Sequence, residues 1–313
     1  MPTFCRHNHL IQNCSICARE QSIEPRPLVS SSAPGGERAT RSAVKAPSGP
    51  RSGRSPARTR GPGGAVTVRR VRTTVDDGYR SPLVPGLKSR SEAESLAEEL
   101  AFAATRLRAL ADDSPGLYRE VADATGDIEE RTWLAFQIAY LGPLEDEQDP
   151  FSAIRSARVS WAGGELPALD GAAAGPRSPH DPHRALQTMR AYRGWVDRGG
   201  SQASAYLGEP TWSAERRFAR LFERLALPGL HRAVRFDLLV TLGQTGVFEL
   251  EAGSLFLGGT DEVTVAAKRA LGIGDSLLLE RRAAELAQAC RVPLAALDLG
   301  FYNWERGGRY TAG

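Results

Sequence analysis

Residues 25–75 cannot form a hydrophobic core, and that divides the chain before any motif is considered. The stretch holds eleven Arg or Lys against a single acid, Glu37, a net charge of +10, and is crowded with Pro, Gly and Ser, as in Ala46-Pro-Ser-Gly-Pro-Arg-Ser-Gly-Arg-Ser-Pro56. Too little apolar surface is available to offset the entropy cost of ordering, so a disordered linker is expected. The whole chain of 313 residues carries only +3, so everything outside the stretch sums to −7. Either the basic run attracts a polyanion, each arginine near a phosphate releasing counterions, or it is a merely soluble tether. The expected organisation is a small module at 1–20, a basic linker over 21–89 and a folded region at 90–313.

The first module is marked by cysteines. Three of the four in the chain, Cys5, Cys14 and Cys17, lie in its first seventeen residues beside His7 and His9. A Cys-x-x-Cys pair puts two thiolates on one tight turn, and a Cys-x-His pair upstream completes a tetrahedron. Cys5, His7, Cys14 and Cys17 therefore form a candidate structural zinc site, with His9 competing for the place of His7. The other readings are exposed thiols or a redox pair, although redox motifs of this kind normally follow a strand in a larger fold. With Cys290 as the only later cysteine, no disulfide framework is available. No stretch of eighteen apolar residues and no signal-peptide core are present, so a cytoplasmic protein without a membrane partner is expected.

From residue 90 the pattern is helical. Ser91-Glu-Ala-Glu94 reads as a capping box, and Leu96, Leu100, Ala103, Ala104, Leu107 and Leu110 follow at helical spacing. Further helices are expected at about 117–125, 128–141, 184–197, 211–226, 231–242, 262–271, 276–290 and 293–304. Gly246–Leu250 is strand-like but stands alone, and 160–182 reads as a long surface loop. An all-α fold is the expectation.

Within it, Leu271-Gly-Ile-Gly-Asp275 joins two helices by a very short turn. Gly272 and Gly274 suit a helix-hairpin-helix, in which the backbone approaches a phosphate and the next helix offers its free N–H groups. The same pattern fits an ordinary hairpin with a glycine C-cap, and Asp275 opposes an anion unless it is purely an N-cap. Asp298 sits in an apolar run, where burial of a carboxylate needs a reason, either a catalytic role with a perturbed pKa or the capping of a neighbouring helix. Arg235-Phe-Asp237 places opposite charges at the head of another apolar run, as a buried ion pair or as a site facing substrate. Asn303-Trp304 either stacks on a base or packs a core, and Arg216, Arg220 and Arg224 align as a stripe at i,i+4 spacing. No Walker loop or Rossmann glycine motif occurs, so no nucleotide cofactor is expected.

The run Phe4-Cys-Arg-His to Cys17, Ala266-Ala-Lys-Arg to Gly272-Ile-Gly-Asp275, and Leu297-Asp-Leu to Asn303-Trp304 together resemble the third clade of the alpha-glutamyl/putrescinyl thymine pyrophosphorylase family. The resemblance covers the cysteine cluster and most of 90–313, but not the linker. It implies an all-helical relative of DNA glycosylases associated with hypermodified thymine in DNA. There the pyrophosphate of a pyrophosphorylated 5-hydroxymethyluracil is displaced by an amine or amino acid. Such chemistry needs a flipped base, an apolar or aromatic wall and nearby cations. Residue by residue, the local chemistry nominates Arg235, Asp237 and Asp298 for catalysis, and Lys268, Arg269, Gly272, Gly274, Tyr302 and Trp304 for substrate or DNA. The competing readings are a non-catalytic zinc-containing DNA-binding module and a helical scaffold for protein partners.

Overall fold

The computed structural model describes residues 76–145 and 147–310, all within one unit spanning Arg69–Gly313. The cysteine cluster and residues 21–75 of the expected linker lie outside the described residues. Eleven helices and no strands occur among those that are described. They are α1 (Arg90–Asp112), α2 (Tyr118–Ala122), α3 (Ile128–Leu141), α4 (Ser152–Ala157), α5 (Ala185–Gly199), α6 (Gln202–Leu207), α7 (Ala214–Arg224), α8 (Arg232–Gln244), α9 (Glu262–Leu271), α10 (Ser276–Cys290) and α11 (Ala296–Arg306). None is long and apolar enough to cross a membrane.

The long first helix buries the stripe its periodicity announces, Leu96 through Leu110. Its partner is α11, and Gly300 is what lets the two approach: a Cβ there would lie 2.5 Å from Leu100 Cδ2. Helices α3 and α8 are buried on nearly every side and pack on each other at the centre. Burial on all sides, rather than along one stripe, is why both read as apolar runs. Against α3 lies an aromatic layer in which Phe136 stacks on Tyr192 at 3.8 Å.

Two expectations about the borders of the fold are corrected. The unit does not start at residue 90: Val84 and Leu87 are buried, and the Gly86 amide donates to Ala270 O at 3.0 Å. Nor does Ser91 open α1 with a capping box. The Arg90 amide is taken at 2.9 Å by Asp77, and Glu92 pairs instead with Arg269 at 2.6 Å. A buried acid in the first turn that meets an arginine from another helix has a stronger partner than a neighbouring amide.

Candidate functional site

Five charged side chains meet beneath a cleft bordered by α1, α3, α8 and α11. Asp237 and Arg232 come from α8, Asp298 from the first turn of α11, Asp261 from the N-cap of α9, and Arg177 from the connection between α4 and α5. The Arg177 guanidinium grips Asp237 with two parallel bonds, Nε to Oδ2 and Nη2 to Oδ1, both 3.0 Å. Its Nη2 also donates to Asp298 Oδ1. On the other side of Asp298, Arg232 Nη2 donates to Oδ2, while Arg232 Nε reaches Asp261 Oδ1 at 2.9 Å and Nη1 reaches Leu255 O at 2.7 Å. The Tyr302 ring lies against Arg177, 4.8 Å from the guanidinium carbon.

The two central carboxylates differ in what surrounds them. Asp298 has a side chain only 2% exposed and carries a guanidinium on each oxygen. Burial pushes its pKa up, but Arg232 and Arg177 outweigh burial and hold it below the ordinary carboxylate value. The Asp237 side chain is 38% exposed and lines the cleft. Burial within the cleft wall pushes its pKa up, and the charge of Asp298 adds to that against the pull of Arg177. At Asp298 the two bonded arginines outweigh burial, whereas at Asp237 the pull of Arg177 and Arg106 does not outweigh burial and the charge of Asp298. Arg177 itself stays charged, because Asp237 and Asp298 overcome the cost of burying it.

One nitrogen of this network is unsatisfied. Arg177 has a side chain only 4% exposed, yet its Nη1 has no hydrogen-bond partner. A buried guanidinium N–H without an acceptor costs free energy, and a cleft beside it offers a place for one. The cleft also presents Arg106, Tyr118, Thr241 and Tyr310, between apolar walls from Leu107, Ile138 and Val240. It encloses about 50 Å³, enough for a few water molecules. Tyr310 closes one side, its amide donating to Asn303 Oδ1 at 3.1 Å and its hydroxyl to Pro143 O at 3.0 Å. Burial pushes the hydroxyl pKa of Tyr118 and Tyr310 up, so both remain protonated donors. Proton exchange at Asp237 beside a fixed cation is the chemistry this arrangement can perform.

Of the three residues nominated for catalysis, Asp237 and Asp298 are brought together and Arg235 is not. Two residues along a helix is more than half a turn, so Arg235 points away from Asp237. Its Nη1 donates to Phe222 O at 2.8 Å and its guanidinium lies 4.2 Å over the Phe222 ring. The opposite charges adjacent in sequence thus form no pair, and the partner of Asp237 is Arg177. That also corrects the reading of 160–182 as a surface loop: Leu169 and Arg177 are buried, and the Gly175 amide donates to Leu141 O at 2.7 Å.

The residues nominated for DNA contact are placed differently. Arg269 bridges Glu92 and Glu305 and covers Trp304 at 4.2 Å. Trp304 is 2% exposed and Tyr302 5%, so neither ring has a free face for a base in this conformation. Lys268 reaches Gly259 O at 3.5 Å. Gly272 is the left-handed C-cap of α9, φ 66°, and faces the chain's own backbone, since a Cβ there would lie 3.3 Å from Gly86 N. Gly274 has open space around it. Asp275 is the N-cap of α10 and accepts from the Leu278 amide at 2.9 Å, which occupies one N–H that a phosphate would use. In the arginine stripe, Arg216 lies over Trp212 and Arg220 pairs with Glu223 at 3.0 Å.

Arg177, Arg232, Arg106 and Tyr310 were not singled out from sequence. The available signal was indirect: carboxylates within apolar runs require cations from elsewhere. Among the described residues no cluster of His, Cys, Asp and Glu is suited to a metal ion. Compared with family models, curated proteins and solved structures, the chain matches none.

Proposed function

We propose that this chain is a DNA-directed enzyme acting on a modified thymine or uracil base, with Asp237 as the proton-transfer group. The observation that carries the reading is Asp237 lining the cleft, gripped on both oxygens by Arg177, beside the unpartnered Nη1 of that arginine; the raised direction of its pKa accords with it. A carboxyl that holds its proton more tightly exchanges it more readily near neutral pH. A fixed guanidinium stabilises an oxygen on which charge develops. Asp298, saturated by two arginines, acts through them by holding Arg177 in place.

The substrate class rests on the resemblance to thymine pyrophosphorylases. A ring is larger than the few waters the cleft accommodates, so binding requires a wall to move. Tyr310 is the wall that follows α11 outside any helix, its ring held through its hydroxyl by one hydrogen bond. On this reading Cys5, His7, Cys14 and Cys17 hold one structural zinc, and the basic run over 25–75 adds salt-sensitive, sequence-independent DNA affinity in a cytoplasmic setting.

The test is incubation of the full chain and of Asp237→Asn with DNA containing 5-hydroxymethyluracil or its pyrophosphate, followed by nucleoside mass spectrometry. A mass change or base loss with the native chain, absent with the variant, supports the proposal. DNA binding without a mass change on either substrate places a non-catalytic binding module ahead of it.

A further inference from the structure

A second concavity shares no lining residue with the cleft. It is an open groove of about 730 Å³ bordered by α6, α7 and the turn after α8, within the size range of ligand sites. Its walls are apolar, from Ile128, Leu207, Val247 and Phe248. Leu207 is 57% exposed, an apolar side chain that gains by being covered. Two acids, Glu249 and Glu251, stand against one base, Arg217, among the groove's charged residues. The Glu249 side chain is 88% exposed, so at least one acid projects into solvent.

Arg217 gives the floor a polar feature of its own. Its side chain is 6% exposed, with Nη1 donating to Glu249 O at 2.8 Å and to the Glu249 carboxylate at 3.3 Å, and Nη2 to Trp212 O at 3.3 Å. Its Nε is buried without a partner. The groove therefore combines an apolar wall, a buried N–H without an acceptor, and a rim where Glu249 is paired with Arg217 and Glu251 carries the surplus negative charge.

The geometry points to a protein partner: an amphipathic helical segment whose leucine-type side chains are flanked by lysine or arginine. Apolar side chains at i, i+3 and i+4 pack along the wall, and the flanking cations meet Glu249 and Glu251. A backbone or side-chain carbonyl accepts from Arg217 Nε. The surplus of acid repels a phosphate backbone, so the groove does not serve nucleic acid. A small apolar ligand would leave the acidic rim unused.

The full chain is titrated into a fluorescein-labelled peptide of about 14 residues with leucine at i, i+3, i+4 and i+7 and lysine elsewhere. A scrambled peptide of the same composition serves as control. Expected is saturable binding of the patterned peptide only, weakened about tenfold by Leu207→Ser and a few-fold by Glu251→Lys, with the salt dependence reduced in the second variant. Both positions are exposed, and circular dichroism confirms that each variant keeps its helices. Equal binding of the scrambled peptide, or unchanged affinity in both variants, overturns the proposal. So does sedimentation showing that the chain self-associates through this face, with the self-association lost in Leu207→Ser.

Discussion

The two aspartates of the cleft and the α9–α10 hairpin were both nominated from sequence, and they turn out as opposites. In the hairpin the signature residues are adjacent in the chain, and the structure uses them locally: Gly272 as a C-cap, Asp275 as an N-cap, Gly272 packed on Gly86. In the cleft the decisive contacts join residues 60 and 121 positions apart, and one donor is left over. A turn motif is satisfied by its own backbone, and nothing about it demands a ligand. Charges collected from four parts of the chain into an apolar interior are costly, and they persist only where each is answered. The unanswered Nη1 of Arg177 is therefore the more telling feature.

The sharpest way to break this contrast is to disturb each region alone. Asp237→Asn keeps a neutral acceptor for Arg177 but removes the transferable proton. It should lower turnover on modified DNA by roughly 10²–10⁴-fold, measured by nucleoside mass spectrometry, with little loss of helicity. Asp298→Ala attacks the same network from below. Two buried guanidiniums lose their shared partner, and stability should fall by about 3–5 kcal/mol in urea denaturation. A loss below about 1 kcal/mol would mean that water already serves those arginines.

The hairpin should respond more weakly and only in stability. Asp275→Ala removes an N-cap bond and should cost about 1 kcal/mol, with turnover and DNA affinity unchanged in a binding titration. A large loss of DNA affinity would return the hairpin to the centre of the account.

The smallest effect is on pH dependence, and the two carboxylates have opposite signs. The folded-state pKa of Asp298 is depressed, so its contribution to stability is present above the ordinary carboxylate value and lost as pH falls through the depressed one. For Asp237 the folded-state value is raised, so the native state holds the proton more tightly than the unfolded chain. Stability then falls as pH rises from the ordinary value through the raised one. Asp237→Asn should remove that decline, and urea midpoints across pH 3–8 would reveal it.

How far the residues alone led follows the same division. Helices α3, α9 and α10 match their expected spans to the residue, α9 and α10 through their period and α3 as an apolar run too long for a strand. The one-turn helices α4 and α6 were not anticipated. A single turn has no period to read, and α6 is started from elsewhere, the amides of Gln202 and Ala203 being held by Glu129. Asp237 and Asp298 stood out as carboxylates in apolar runs. Their partner Arg177 did not, since a Gly-Pro-Arg segment without periodicity reads as surface until the carboxylate it must answer is located in space.

The most direct test of the central claim is the titration of the two aspartates by carbon-13 NMR of their carboxyl groups, assigned with Asp237→Asn and Asp298→Asn. Asp237 should titrate above the usual value near 3.9 and Asp298 below it. An Asp237 that titrates at or below that value would contradict the account. Arg177 would then dominate over burial, and the cleft would hold an inert ion pair in place of a proton-transfer group.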